Sequence, residues 1–194
     1  MRKGKKIKDD NASRGDPSGR VLSKKRKITI LGDIDKKREQ EVIKTLRAFN
    51  KESDSKNIYL FIDSLGGEYD SGCRIAKEVR VSKAPVYGIV MWQACSAAFH
   101  ILQACKKRIA CTAMSTVMCH APDLSDVRVD QANRDKIIKK REKEHDDFLS
   151  SVVARSDGKL SLEKIHDLST KEEDVSACRA LRLGLLDQVM YKKK

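Results

Sequence analysis

Ile58-Tyr59-Leu60-Phe61-Ile62 is an unbroken apolar run that ends four residues short of a double glycine, Gly66-Gly67. A run so short and so uniformly apolar reads as a strand over Asn57–Ile62 covered on both faces, and a strand of that kind must lie inside a sheet with its connections packed against it. The flanking chain repeats the theme. Lys27–Leu31 reads as a strand. Asp33 or Asp35 then caps a helix whose apolar positions Val42, Ile43, Leu46 and Phe49 follow helical spacing. A second helix after the glycines turns Cys73, Ile75, Ala76 and Val79 inward. Val86–Met91 is a further buried strand, Ser96–Ala104 a short apolar helix, and Arg108–Cys111 and Thr116–Cys119 are two more strands. Strands alternating with helices predict an α/β fold of repeated βαβ units with right-handed crossovers. The chain's 194 residues suit one domain. The region 127–156 differs: Val127, Val129, Ile137, Ile138, Phe148, Leu149 and Val152 are scattered among many charges, so it is expected to be a long helix that is not buried all round.

Charge is unevenly spread. The net charge is +13, but residues 1–27 hold eleven Lys/Arg against three Asp, a net of +8. That segment, with Gly4, Gly15, Pro17 and Gly19, has too little apolar surface to bury a core and is expected to be a solvated, disordered tail. The folded domain is then 28–194. Its remaining excess comes without the basic-aromatic interleaving that stacks bases, which argues against nucleic acid as a partner. No apolar run reaches the length of a membrane span, and the basic N-terminus lacks a secretory signal's apolar stretch. The six cysteines, Cys73, Cys95, Cys105, Cys111, Cys119 and Cys178, form no CxxC pair and no metal-ligand spacing. They read as buried, reduced thiols in a cytoplasmic protein, with no metal site and no disulfide.

Three segments carry chemistry. The first is the apolar strand running into Gly66-Gly67, where bare backbone N–H groups can face an oxyanion; a plain tight turn would use the same residues. The second is Gln93-Ala94-Cys95-Ser96, which puts a serine at the mouth of an apolar helix, where it gains from nearby N–H groups and the helix dipole. An inert N-cap serine would look the same. The third is Met118-Cys119-His120-Ala121-Pro122, a histidine at the end of a short strand, 24 residues after that serine. A serine hydroxyl attacks a carbonyl only when an adjacent base takes its proton. Cys95 points about 100° around from Ser96 and reads as packing. His100, one turn after Ser96, is a competitor to His120 as base. His145 and His166, in charged helical surroundings, read as solvent-facing.

The order strand, Ser-x-Gly-Gly, apolar strand, Gln-Ala-x-Ser, then Met-x-His-x-Pro resembles the proteolytic subunits of Clp proteases, the ClpP family. The resemblance starts at Ile28-Thr29-Ile30-Leu31-Gly32 and closes with Ser176-Ala177-Cys178-Arg179-Ala180 and Gly184-Leu185-Leu186-Asp187, so it spans most of the chain. It implies a ClpP/crotonase-like fold in which 127–156 is the protruding handle by which rings stack. It implies a serine endopeptidase acting on proteins or peptides, with Ser96 as nucleophile, His120 as base, and the backbone N–H groups of Gly67 and Ala97 as oxyanion hole. Counting four residues back from Ser176 nominates Glu172 as the acid that orients His120, with Glu173, Asp174 and the more distant Asp167 as alternatives. It further implies a homo-oligomer of heptameric or stacked rings, an AAA+ unfoldase ATPase as partner, and no cofactor.

The departures from the family pattern are specific. Leu65 stands where the family has proline and Trp92 where it has glycine. Ala97-Ala98 replaces Met-Gly, and Asp123-Leu124-Ser125-Asp126-Val127-Arg128 replaces a glycine-rich strand. These changes resemble a divergent branch, such as phage- or plasmid-encoded ClpP-like proteases. They keep open a non-catalytic ring or scaffold subunit with a decayed site. A crotonase-like acyl-CoA enzyme shares the fold and the oxyanion amides but would need neither Ser96 nor His120.

Overall fold

The computed structural model describes residues 26–122 and 130–190. Most of the tail and the stretch 123–128 lie outside the described residues. Strand β1 (Lys27–Leu31) leads through Asp35, whose carboxylate accepts the Arg38 N–H at 2.7 Å, into helix α1 (Lys36–Glu52). This is an N-cap satisfying one of the helix's orphan donors. The chain continues as β2 (Ile58–Ser64), α2 (Tyr69–Arg80), β3 (Val86–Cys95), α3 (Ala97–Ala104), β4 (Lys107–Ala110) and β5 (Thr116–Met118). After the segment left out come α4 (Gln131–Ala154), α5 (Leu162–Thr170), β6 (Val175–Ser176), α6 (Ala177–Arg182) and β7 (Gln188–Val189).

The strands β1-β2-β3-β4-β7 stand side by side, all parallel. Thus the fold is the α/β architecture of βαβ units expected from the alternating pattern. Every helix sends buried apolar residues to one cluster: Leu46 from α1, Ile75 from α2, Phe99 and Leu102 from α3, Leu149 from α4, Ile165 from α5 and Ala180 from α6. They meet Ile30, Leu60, Ile62 and Val90 from the sheet. The opposite face is more thinly covered than the uniformly apolar run suggested. There Tyr59, Ile89 and Ile109 form a small cluster with Phe61, Tyr87 and Met190 only half-buried. The continuous apolar pattern of β2 comes from two unequal clusters, one on each face.

The feature of β3 that matters for the site is its length. It runs four residues past the predicted Met91 end. Its pairing with β2 shifts register between Ile62↔Val90 and Ser64↔Ala94, so β3 carries two extra residues there, with Trp92 exposed. Such a bulge bends a strand and re-aims its end. Before it, β3 pairs with β4; beyond it, Gln93–Cys95 pair instead with β5, which in turn meets β6 antiparallel. The strand tip therefore arrives at Ser96 beside the strand that leads to His120.

The polar segment over 127–156 forms α4, capped by Asp130, whose side chain accepts the Asn133 N–H at 3.1 Å; residues 127–129 lie outside the described residues. Its buried positions, His145, Leu149 and Val152, fall in its second half. There the chain is anchored: Arg155 donates to the carbonyls of Gln103 and Cys105 at the end of α3.

Candidate active site

At Ser96 the extended β3 turns into α3 within one residue. Ser96 takes φ +53°, ψ −122° and occupies the N-cap of α3, and its N–H donates to the Met118 carbonyl at 2.9 Å. A side chain on so sharp a strand-to-helix corner stands clear of the backbone, and that conformation costs a non-glycine residue about 1–3 kcal/mol. The corner is packed against bare backbone. A Cβ on Gly66 would lie 2.7 Å from Ser96 Cβ and 3.1 Å from its Oγ. Gly67 is constrained by a different neighbour, since its Cβ would lie 2.3 Å from the Ile34 carbonyl oxygen. The amides flanking Gly67 are spent: Gly66 N–H on Ser64 Oγ at 3.0 Å, and Glu68 N–H on the Ile34 carbonyl at 2.7 Å. Gly67 and Ala97 line one cleft of about 500 Å³ together with Ser96 and His120.

His120 follows the end of β5 by two residues, and its Nε2 lies 2.8 Å from Ser96 Oγ. With Nε2 as acceptor the ring's proton sits on Nδ1, which faces Glu172 Oε1 at 4.0 Å. That gap is wider than a hydrogen bond, and the Glu172 side chain is 67 % exposed. Glu172 stands on the turn after α5 at φ +49°. The other carboxylates are engaged or further off. Glu173 is held by Arg179, and Asp167 lies 2.9 Å from Lys164 and is bonded also to Lys171, which hold its carboxyl down at about 2. Asp174 is exposed and is felt by Cys95, whose thiol burial first, and the Asp174 charge second, push up to about 11. The structure thus brings Ser96 and His120 into contact and leaves Glu172 at the edge of reach.

His100 is buried, and burial together with the nearby His145, His120 and Arg80 pushes its imidazole down to about 3. It borders the cleft but has no hydrogen bond to Ser96 Oγ. His145 corrects the expectation of a solvent-facing side chain: it is 6 % exposed, and its Nε2 meets Ser169 Oγ at 3.0 Å. The spacing Arg141, His145, Phe148, Leu149 puts one face of α4 against the domain, a helical stripe hidden in the sequence by the charges around it. His166 is half-buried, with its Nε2 3.9 Å from Asp146 Oδ1. Of the cysteines, none of which forms a disulfide among the described residues, Cys95, Cys105 and Cys119 are buried, whereas Cys73, Cys111 and Cys178 are only half-buried. Among the described residues no three His, Cys, Asp or Glu side chains converge as a metal-ligand set, and no helix is long and apolar enough to cross a membrane.

Comparison with known proteins matches residues 10–193 to the Clp protease family model. The chain is 31 % identical over 169 residues, 87 % of its length and 83 % of the relative's, to the ATP-dependent Clp protease proteolytic subunit 2 of Treponema pallidum (strain Nichols). It is 40 % identical over 82 residues, 42 % of its length and 41 % of the relative's, to the ATP-dependent Clp protease proteolytic subunit 2 of Treponema denticola.

Proposed function

This chain belongs to the Clp protease family, and from that premise we propose that it is a serine endopeptidase acting on unfolded proteins or peptides inside a ring-shaped homo-oligomer. The single observation that supports this most is the 2.8 Å contact between His120 Nε2 and Ser96 Oγ on a strained strand-to-helix corner. Ser96 Oγ attacks the peptide carbonyl while His120 takes its proton at Nε2. The tetrahedral oxyanion is held by the N–H groups of Gly67 and Ala97, an arrangement whose single donors are each worth several kcal/mol, about 3, in catalysis. His120 then gives the proton to the leaving amine, and water releases the acyl-enzyme by the same route in reverse. Glu172 orients the ring and stabilises the imidazolium; the substrate must draw it closer than 4.0 Å to do so. The reaction uses side chains, backbone amides and water only. An AAA+ unfoldase, which would spend the ATP and feed substrate to the ring, is the proposed partner; both relatives are named as subunits of an ATP-dependent protease.

A non-catalytic ring subunit is the alternative, and the exposed, distant Glu172 is the observation that favours it. Short fluorogenic peptides decide between the two. Ser96→Ala is expected to abolish hydrolysis with a stability change within about 1 kcal/mol. His120→Gln is expected to cost about a thousandfold or more. Because Glu172 is exposed, Glu172→Gln is expected to cost only about ten- to a hundredfold, less than a buried triad acid does, and Asp174→Asn to cost little. Hydrolysis that survives undiminished in pure Ser96→Ala protein removes Ser96 from the mechanism.

A further inference from the structure

His100 lies one turn beyond Ser96 on α3 and is 7 % exposed. Its ring is stacked on Phe148 with centroids 3.7 Å apart and planes 12° apart, and meets Tyr69 edge-on at 5.6 Å. These contacts hold the ring's orientation through its carbon framework. Its nitrogens are not among the sealed, unpaired polar atoms, and no described residue hydrogen-bonds them. With no protein partner and not sealed off, those nitrogens are left to whatever fills the cavities beside the ring. Here the ring borders the same cleft as Ser96 and His120, and also a cavity of about 270 Å³ behind it. The imidazole is neutral, so it offers one donor and one acceptor.

The rest of this part of the cleft is polar and internally balanced in charge. Arg141 reaches from α4 to Asp70 at 3.6 Å and lies over the Tyr69 ring at 5.5 Å. Arg74 is bound to the buried Glu39 at 2.8 Å, and Glu68 accepts the Ser71 hydroxyl at 2.8 Å. A large aliphatic side chain entering here would strip water from His100, Asp70 and Arg141 and return no hydrogen bond. A site built to hydrogen-bond its substrate discriminates strongly against an analogue lacking the group, because its own polar atoms are then left unpaired.

Building on the serine-peptidase reading, we propose that this part of the cleft receives the side chain of the residue whose carbonyl Ser96 attacks, and that His100 selects there for a polar, uncharged side chain bearing both a donor and an acceptor. Glutamine is the fitting chemistry; leucine is the poor one. His100 is then a specificity-determining residue and takes no part in the proton transfers.

The test uses four fluorogenic peptides that differ only in that residue: Gln, Leu, Lys and Glu. Their kcat/KM values are measured for the wild type, His100→Leu and His100→Gln, with Ser96→Ala as the blank. Wild type is expected to favour Gln over Leu by about tenfold or more. His100→Leu is expected to collapse or invert that ratio, and His100→Gln, which keeps a donor and an acceptor, to retain most of it. A histidine that only packs would scale all four substrates together, which would overturn the proposal. The wild-type panel carries the test even where His100→Leu fails to fold. Preference for Leu, Lys or Glu with cleavage still dependent on Ser96 overturns the role of His100 and leaves the protease reading standing. No Ser96-dependent cleavage of any peptide overturns both.

Discussion

Ser96 holds a backbone conformation, φ +53° and ψ −122°, that glycine adopts freely and serine does not. If that strain is retained for the sake of the hydroxyl, removing the side chain should release it. Ser96→Gly is therefore expected to be inactive yet more stable than both wild type and Ser96→Ala, by on the order of 1 kcal/mol. Urea denaturation of the three proteins checks this; a glycine variant less stable than the alanine one would show that the corner is not strained. None of this is legible in the sequence, where Cys95-Ser96-Ala97 offers no turn signal. The conformation is imposed by the Met118 carbonyl on one side and the bare Gly66 backbone on the other. Ser96 and His120 were legible as candidates from the helix mouth, the strand end and the family resemblance; that they meet follows from β3 lying beside β5, which the sequence does not reveal. The third carboxylate was not, since Glu172, Glu173 and Asp174 are consecutive and only the Arg179–Glu173 pair and the turn at Glu172 sort them.

Among the elements, the first five strands and the first three helices were legible from their apolar spacing, with edges moved by a few residues; the two-residue β6 and β7 were not. The bulge that lengthens β3 was not, because an apolar run does not reveal register. Nor was the tie that holds the β4–β7 edge of the sheet. Arg108, on β4 and 3 % exposed in its side chain, donates from Nε to Asp187 Oδ2 at 3.1 Å and from a second nitrogen to Gln103 Oε1 at 2.7 Å. Gln103 in turn donates to the Leu185 carbonyl at 3.0 Å, so α3, β4 and the segment before β7 share one network. Burial works to raise the Asp187 carboxyl, but the Arg108 hydrogen bonds outweigh it and hold the group below its usual range. Asp187→Asn leaves a buried guanidinium without its counter-charge and is expected to cost about 3–5 kcal/mol of stability. The urea midpoint measures it; a loss below about 1 kcal/mol, the value of an exposed pair, would mean that water already screens the network.

For the whole molecule, burial of His100 and His145 ties folding to pH. The His100 imidazole is pushed down to about 3 when folded, against about 6.5 for an unperturbed histidine. On acidification the unfolded chain binds the proton first, so this contribution is intact above about 6.5 and is lost progressively as pH falls toward 3. Burial lowers His145 in the same direction. Between pH 7 and 5, His100 alone is expected to withdraw on the order of 2 kcal/mol. The melting temperature should drop over that interval, and less so in His100→Leu; equal drops would show that His100 is reached by solvent when protonated. The central claim, that the Ser96–His120 contact makes an activated nucleophile, is tested most directly by a fluorophosphonate probe, followed by mass mapping of the labelled peptide. An activated serine reacts with such a probe and an ordinary hydroxyl does not. The expected result is one label, on Ser96, lost in Ser96→Ala and strongly slowed in His120→Gln; a folded wild-type protein that takes no label at Ser96 would contradict the account.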